Sequence, residues 1–125
     1  MRRALLAVLA AAALLGGCDA GDDSGLVFKD PKGTVGVERG MEFTFELSVN
    51  AGVGFDWEAV DPNRLKHAEL TGTDVEYPEE EREGDSGVKR FRFRASDTPG
   101  DDTIVLRKLY RGDQQERRSI TLEVR

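Results

Sequence analysis

Apolar and polar residues alternate with a period of two along most of the chain after residue 25, in short runs that end at turn-forming residues. The run 42–49 shows this most clearly, because its Phe, Leu and Val side chains occupy every second position and Glu, Thr and Ser fill the others. A β-strand points successive side chains to opposite faces, so this pattern indicates strands with one buried face. No segment of the chain has sustained helical periodicity, and the pattern therefore predicts an all-β protein.

The alternation predicts strands over 34–38, 42–49, 55–59, 88–95, 103–110 and 119–124. In 88–95 we expect Phe91, Phe93 and Ala95 to face inward and the basic side chains to face outward, and we expect Trp57 to pack between two sheets. Residues 65–70 fit either a strand or a short helix. About seven short strands with regular turns favour an antiparallel two-sheet sandwich, although the pattern also fits a small barrel.

The first 17 residues read as a signal peptide. Arg2 and Arg3 precede an apolar run, 4–15, which is too short to cross a bilayer as a helix. The run ends in Leu-Gly-Gly followed by Cys18, an arrangement that resembles the signal of bacterial lipoproteins, in which the cysteine becomes the lipidated N-terminus. We expect residues 1–17 to be removed and the protein to be lipid-anchored to a bacterial membrane through Cys18. It would then lie in the cell envelope and face the periplasm or the exterior, with the choice of inner or outer membrane open.

The remaining chain divides into a tether and one domain. Residues 18–25 are small and acidic and predict a flexible tether, and residues 26–125 have the length of a single domain. Removal of Arg2 and Arg3 takes the net charge from −6 to about −8, which argues against a nucleic-acid partner. Cys18 is the only cysteine, so no disulfide is expected, and we predict a monomer stabilised by its apolar core.

The sequence contains no pattern typical of an enzyme or of a cofactor site. It lacks a nucleophile elbow, a phosphate-binding glycine loop and metal ligands at the usual spacing. His67 is the only histidine and fits a surface or packing position. The acidic run 79–83 fits a solvated loop better than a calcium site. We therefore expect no enzymatic activity, no metal and no cofactor.

The segment 50–57, Asn-Ala-Gly-Val-Gly-Phe-Asp-Trp, joins two predicted strands. It resembles the first binding loop of the chagasin family of cysteine-protease inhibitors, which reads Asn-Pro-Thr-Thr-Gly-aromatic-X-Trp. Asn50, Gly54, Phe55 and Trp57 match this motif in order and spacing, whereas residues 51–53 depart from its Pro-Thr-Thr centre.

Two later segments resemble the other loops of the same family. Residues 84–87, Gly-Asp-Ser-Gly, lie before the alternating strand 88–95 and match a Gly-X-Gly-Gly loop in which Ser86 replaces one glycine. The last hairpin carries Tyr110 and Arg111, where the family has Arg-Pro-Trp, so both Pro and Trp are missing.

The resemblance implies an immunoglobulin-like sandwich whose three loops enter the active-site cleft of papain-like cysteine proteases as a reversible, competitive inhibitor. The protease-binding residues that it implies are Asn50, Ala51, Gly52, Val53, Gly54, Phe55, Gly84, Asp85, Ser86, Gly87, Tyr110, Arg111 and Gly112. The departures in the first and third loops predict weaker inhibition or a different protease preference. The alternative is a non-inhibitory envelope lipoprotein that binds another protein through the same loops or through a sheet edge.

Overall fold

The computed structural model describes residues 26–78 and 86–125. Cys18, the predicted signal peptide and the predicted tether lie outside these residues, as do the acidic run 79–83, Gly84 and Asp85. The described chain forms eight strands and one 3₁₀ helix. The strands are β1 Leu26–Lys29, β2 Thr34–Val37, β3 Glu42–Val49, β4 Phe55–Val60, β5 Ala68–Glu76, β6 Gly87–Ala95, β7 Gly100–Tyr110 and β8 Asp113–Val124, and the helix is Pro62–Arg64.

The strands form two four-stranded sheets. One has the order β1-β3-β6-β5 and the other the order β2-β8-β7-β4. All pairings are antiparallel except at two edges, where β1 runs parallel to β3 and β2 runs parallel to β8. The predicted all-β, immunoglobulin-like sandwich is confirmed. It has eight strands where the pattern predicted about seven, because the chain contributes β1 to one sheet and β2 to the other.

The alternation in the sequence corresponds to the core between the sheets. The inward apolar side chains of β3 and β6 are almost fully buried, and the rings of Phe43 and Phe93 stack at 5.2 Å between centroids. Ile120, Leu122 and Val124 cover them from β8. Trp57 is 4 % exposed, which confirms its predicted place in the core.

Two local expectations are decided by the structure. Residues 65–70 contain the beginning of a strand, since β5 starts at Ala68, and the helical turn lies just before them at Pro62–Arg64. The prediction that every basic side chain of 88–95 faces outward is wrong for Lys89. It alternates in phase with Phe91 and Phe93, so it lies on the inner face, and its side chain is only 16 % exposed.

The two ends of the sandwich differ. The connections β3–β4, β5–β6 and β7–β8 leave the same end, because Val49 lies opposite Gly87 and Phe55 lies opposite Tyr110. We call this the loop end. Leu26 pairs with Phe43 near the start of β3, so the described chain begins at the opposite end. Among residues 26–78 and 86–125, no helix is long and apolar enough to span a membrane.

Candidate functional site

The first loop is a tight turn closed by backbone hydrogen bonds to Asn50. The Asn50 carbonyl oxygen accepts hydrogen bonds from the backbone N–H groups of Val53, Gly54 and Phe55 at 3.2, 3.0 and 2.9 Å. The Asn50 N–H donates in turn to the Phe55 carbonyl at 3.0 Å. Residues 51–53 are exposed at the tip, with Val53 at 41 %. A short turn with this many internal bonds presents its tip with little remaining backbone freedom.

The first loop is joined to the third at Gly54. The Arg111 N–H donates to the Gly54 carbonyl at 2.9 Å, and the rings of Phe55 and Tyr110 lie 4.9 Å apart beside this bond. Gly54 has a φ of +96°, and a Cβ added there would lie 2.8 Å from the Arg111 Cγ. Glycine is therefore needed at this position for both its backbone conformation and the close approach of the third loop.

The third loop is a two-residue turn between Tyr110 and Asp113. Its central residues, Arg111 and Gly112, have φ values of +52° and +89°, as a type I′ hairpin requires. The Arg111 guanidinium carbon lies 5.1 Å from the centre of the Tyr110 ring. Tyr110 is half-buried between Phe55 and Arg111, so Arg111 and Gly112 provide the exposed surface of this loop.

The described part of the second loop is joined to the first through Tyr77. The Ala51 N–H donates to the Tyr77 hydroxyl oxygen at 3.0 Å. Of the predicted residues in this loop, Ser86 is exposed and Gly87 is buried as the first residue of β6. A Cβ on Gly87 would lie 2.6 Å from the Tyr77 Cε1, so the ring lies directly over this glycine.

Sequence reasoning missed Tyr77. The only signal in the sequence was an aromatic residue directly before a proline, Pro78, after a run of alternation. Tyr77 also borders a depression of about 470 Å³ between the first loop and β5, with Ala51, Phe55 and Val75 among its walls. Val75 is 46 % exposed, which makes this face of the loop end partly apolar.

Lys89 supports the base of the site from inside the sandwich. Its ammonium donates to the Trp57 carbonyl at 2.7 Å and to the Asp56 carboxylate at 3.1 Å. These bonds run from β6 in one sheet to β4 in the other. The strand that follows the first loop is therefore fixed to both sheets.

An arginine on β8 covers Trp57 from the other side. The Arg118 guanidinium carbon lies 4.8 Å from the Trp57 ring centre. Its Nη1 donates to the Asp30 carboxylate at 2.7 Å and its Nη2 to the Glu116 carboxylate at 2.9 Å. Burial acts to lower the pKa of Arg118, but these hydrogen bonds outweigh it and the pKa is raised. The hydrogen bond from Arg118 lowers the pKa of Asp30. This ion pair links the β1–β2 connection to β8.

The described residues contain no group of three or more His, Cys, Asp or Glu side chains that could hold a metal ion. His67 lies just before β5, at the end opposite the loops, with its Nδ1 3.5 Å from the Ser96 hydroxyl. Asp102 accepts from the backbone N–H groups of Lys66 and His67, at 2.7 and 2.6 Å, and not from the imidazole. These three side chains therefore do not have the arrangement of a catalytic triad.

The fold is shared with solved structures of low sequence identity. The cysteine protease inhibitor EhICP2 from Entamoeba histolytica superposes with a TM-score of 0.64 at 13 % identity, over 80 % of this chain and 95 % of that one. Amebosin superposes with a TM-score of 0.61 at 13 % identity, over 82 % and 100 % of the two chains. PbICP-C, solved in complex with falcipain-2, gives a TM-score of 0.46 at 16 % identity, over 85 % and 96 % of the two chains.

No family model matches the sequence, and no curated protein matches it significantly. The first structural match is a cysteine protease inhibitor, the class that the resemblance in the sequence implies, and the fold predicted from that resemblance is confirmed.

Proposed function

We propose that this domain is a reversible, competitive inhibitor of papain-like cysteine proteases, and that its loop end enters the active-site cleft. The observation that carries the proposal is that hydrogen bonds join the first loop to both neighbouring connections, to Arg111 of the third loop and to Tyr77 of the second. The match to the fold of a cysteine protease inhibitor supports it. Loops held in this way lose little conformational entropy when they bind.

The chemistry of the first loop favours non-covalent binding. Its exposed residues, Ala51, Gly52 and Val53, carry neither a thiol nor a hydroxyl, so their side chains cannot bond covalently to the catalytic cysteine of a protease. Protease–inhibitor interfaces bury about 1,600 Å² in total, which shape complementarity and backbone hydrogen bonds can make tight. A protease whose catalytic cysteine is replaced by alanine should therefore still bind.

The test is an inhibition assay with the soluble domain, residues 19–125, against papain and several related proteases. We expect competitive inhibition and recovery of the intact domain, as judged by mass spectrometry. The proposal fails if none of the proteases is bound at micromolar concentration, or if the first loop is cleaved as an ordinary substrate.

A matched pair of valine variants locates the binding surface. Val53→Asp introduces a charge at the tip of the first loop, which the protease would have to desolvate, so inhibition should weaken strongly. Val27→Asp introduces the same charge at the opposite end, where Val27 is 51 % exposed, and should leave inhibition unchanged. Equal effects of the two variants would contradict binding through the loop end.

We further propose that Cys18 carries a lipid that anchors the domain in the bacterial cell envelope. The order of charged, apolar and small residues before Cys18 supports this. Cys18→Ser should abolish labelling by a palmitate analogue and release the protein from the membrane fraction. Labelling that persists in the variant would refute the assignment.

One observation favours the alternative function as a protein-binding module. β2 pairs with β8 only over residues 121–124, so among the described strands residues 113–119 of β8 pair on one side only, with β7, and Gln115 lies in a bulge of that pairing. An extended segment of a partner could add to this edge. In that case Gln115→Pro would abolish partner binding while Val53→Asp would not, and the opposite result supports the loop end.

A further inference from the structure

The Ala51 N–H, at the start of the exposed part of the first loop, bonds outside the turn. The N–H groups of Val53, Gly54 and Phe55, later in the turn, donate to the Asn50 carbonyl. The Ala51 N–H instead donates to the Tyr77 hydroxyl at 3.0 Å, across 26 positions of sequence. Tyr77 is thus the point at which the second connection holds the backbone of the first loop.

Tyr77 is itself held in place by packing. Its ring lies against Gly87, where an added Cβ would approach both Cδ1 and Cε1 within 2.7 Å, and it also packs against the hydrophobic core. A ring fixed on two sides cannot move far without losing these contacts. Its hydroxyl is therefore a fixed acceptor, and the position of Ala51 follows from it.

The residue at position 51 makes this bond possible. The first-loop motif that the sequence resembles has proline after its asparagine, and a proline has no backbone N–H to donate. Proline stiffens a loop by fixing its own φ, whereas Ala51 leaves φ free. Here the hydrogen bond to Tyr77 restrains the same point in the loop.

We propose that Tyr77 is a positioning residue. By accepting the hydrogen bond from the Ala51 N–H, it fixes the conformation of the first loop for binding. The conformation of the first loop then depends on the second connection, to which Tyr77 belongs. The inference rests on the proposed inhibitory function. Tyr77 acts through Ala51 and need not contact the protease itself.

The main test compares Tyr77→Phe with the wild-type domain against papain. The variant keeps the ring over Gly87 and removes only the hydroxyl, so the inhibition constant should rise by about three- to tenfold, the range for one neutral hydrogen bond. Thr73→Val is the matched control. It removes an exposed hydroxyl from β5, the strand that precedes Tyr77, and should not change inhibition.

A double-mutant cycle separates positioning from direct contact. Ala51→Pro removes the N–H, so Tyr77→Phe in that background should have no further effect on inhibition. If Tyr77→Phe weakens inhibition equally in both backgrounds, Tyr77 acts by another route and the inference is wrong.

Amide exchange of the free domain gives a readout without protease. The Ala51 amide should exchange several-fold faster in Tyr77→Phe, and the core amides of β3 should not change. Unchanged exchange at Ala51 would overturn the inference. A wild-type domain that fails to inhibit papain and related proteases would overturn the proposed function and the inhibitory role of Tyr77 together, whereas equal inhibition by wild type and Tyr77→Phe would overturn only the latter.

Discussion

Gly54 and Gly112 form a matched pair of glycines at the loop end. Their φ values are +96° and +89°, so alanine at either position meets similar backbone strain, about 1–2 kcal/mol. They differ in their surroundings. A Cβ on Gly54 would lie 2.8 Å from the Arg111 Cγ, whereas a Cβ on Gly112 would have no heavy atom of the described structure within 4 Å.

We expect Gly54→Ala to lower the free energy of unfolding more than Gly112→Ala does. The difference should equal the contribution of the contacts between the first and third loops to that free energy. Those contacts include the hydrogen bond from the Arg111 N–H to the Gly54 carbonyl, worth about 0.5–1.5 kcal/mol net. Backbone strain and loss of this bond together should make Gly54→Ala destabilising by about 1.5–3.5 kcal/mol, before the opposing effect on the unfolded chain is subtracted. Alanine also restricts the unfolded chain, which stabilises the folded protein by about 0.4–1 kcal/mol. This effect is common to both variants and leaves the difference between them unaffected.

The assay is urea unfolding of the soluble domain followed by the fluorescence of Trp57, the only tryptophan and a buried one. The slope of the free energy of unfolding with urea should be the same for wild type and both variants, because neither change alters the core. If Gly54→Ala is no more destabilising than Gly112→Ala, the two loops are not coupled through Gly54 as described.

Three further changes test the support of the site. Trp57→Ala should lower the free energy of unfolding by about 3–5 kcal/mol, because it leaves a void under Arg118, and a loss below about 1 kcal/mol in a chemical denaturation monitored by circular dichroism would contradict this. Gly87→Ala should lower it by about 1–3 kcal/mol, since the new methyl group would collide with the Tyr77 ring, and unchanged stability would mean that the ring lies elsewhere. The pKa of Asp30 is lowered in the folded state, so its contribution is present above its ordinary pKa of 3.8 and is lost as the pH falls through the folded value. Asp30→Asn should therefore lose less stability than wild type between pH 7 and pH 3 in urea unfolding, and equal losses would refute the role of the Arg118 ion pair.

The strands that form the core could be predicted because burial acts on each of them locally. In β3 and β6 the inward face requires an apolar side chain at every second position, and this period is visible without knowledge of the partner strand. The same period also places Lys89 on the inner face. Its charge led to the opposite expectation, because the acceptor that makes the position possible, the Trp57 carbonyl, belongs to the other sheet.

The candidate site was less predictable, because its order comes from contacts between distant segments. The resemblance of 50–57 to a known motif indicated the first loop. It could not indicate Tyr77, whose importance depends on the register that brings the end of β5 beside Gly87. The parallel pairings, of β1 with β3 and of β2 with β8, were hidden for the same reason, since nothing in a four-residue strand specifies its neighbour.

The place where the described chain begins sets the height of the binding surface above a membrane. Leu26 lies at the end opposite the loops, and the 12 residues of β8 run along the sandwich for about 40 Å at a rise of about 3.4 Å per residue. If residues 18–25 form the flexible tether that the sequence predicts, they would span about 15 Å on average. With Cys18 lipidated as proposed, the loops would stand roughly 40–55 Å from the lipid surface. Anchored copies would then intercept proteases that diffuse through the aqueous layer, and the captured enzyme would not need to touch the headgroups.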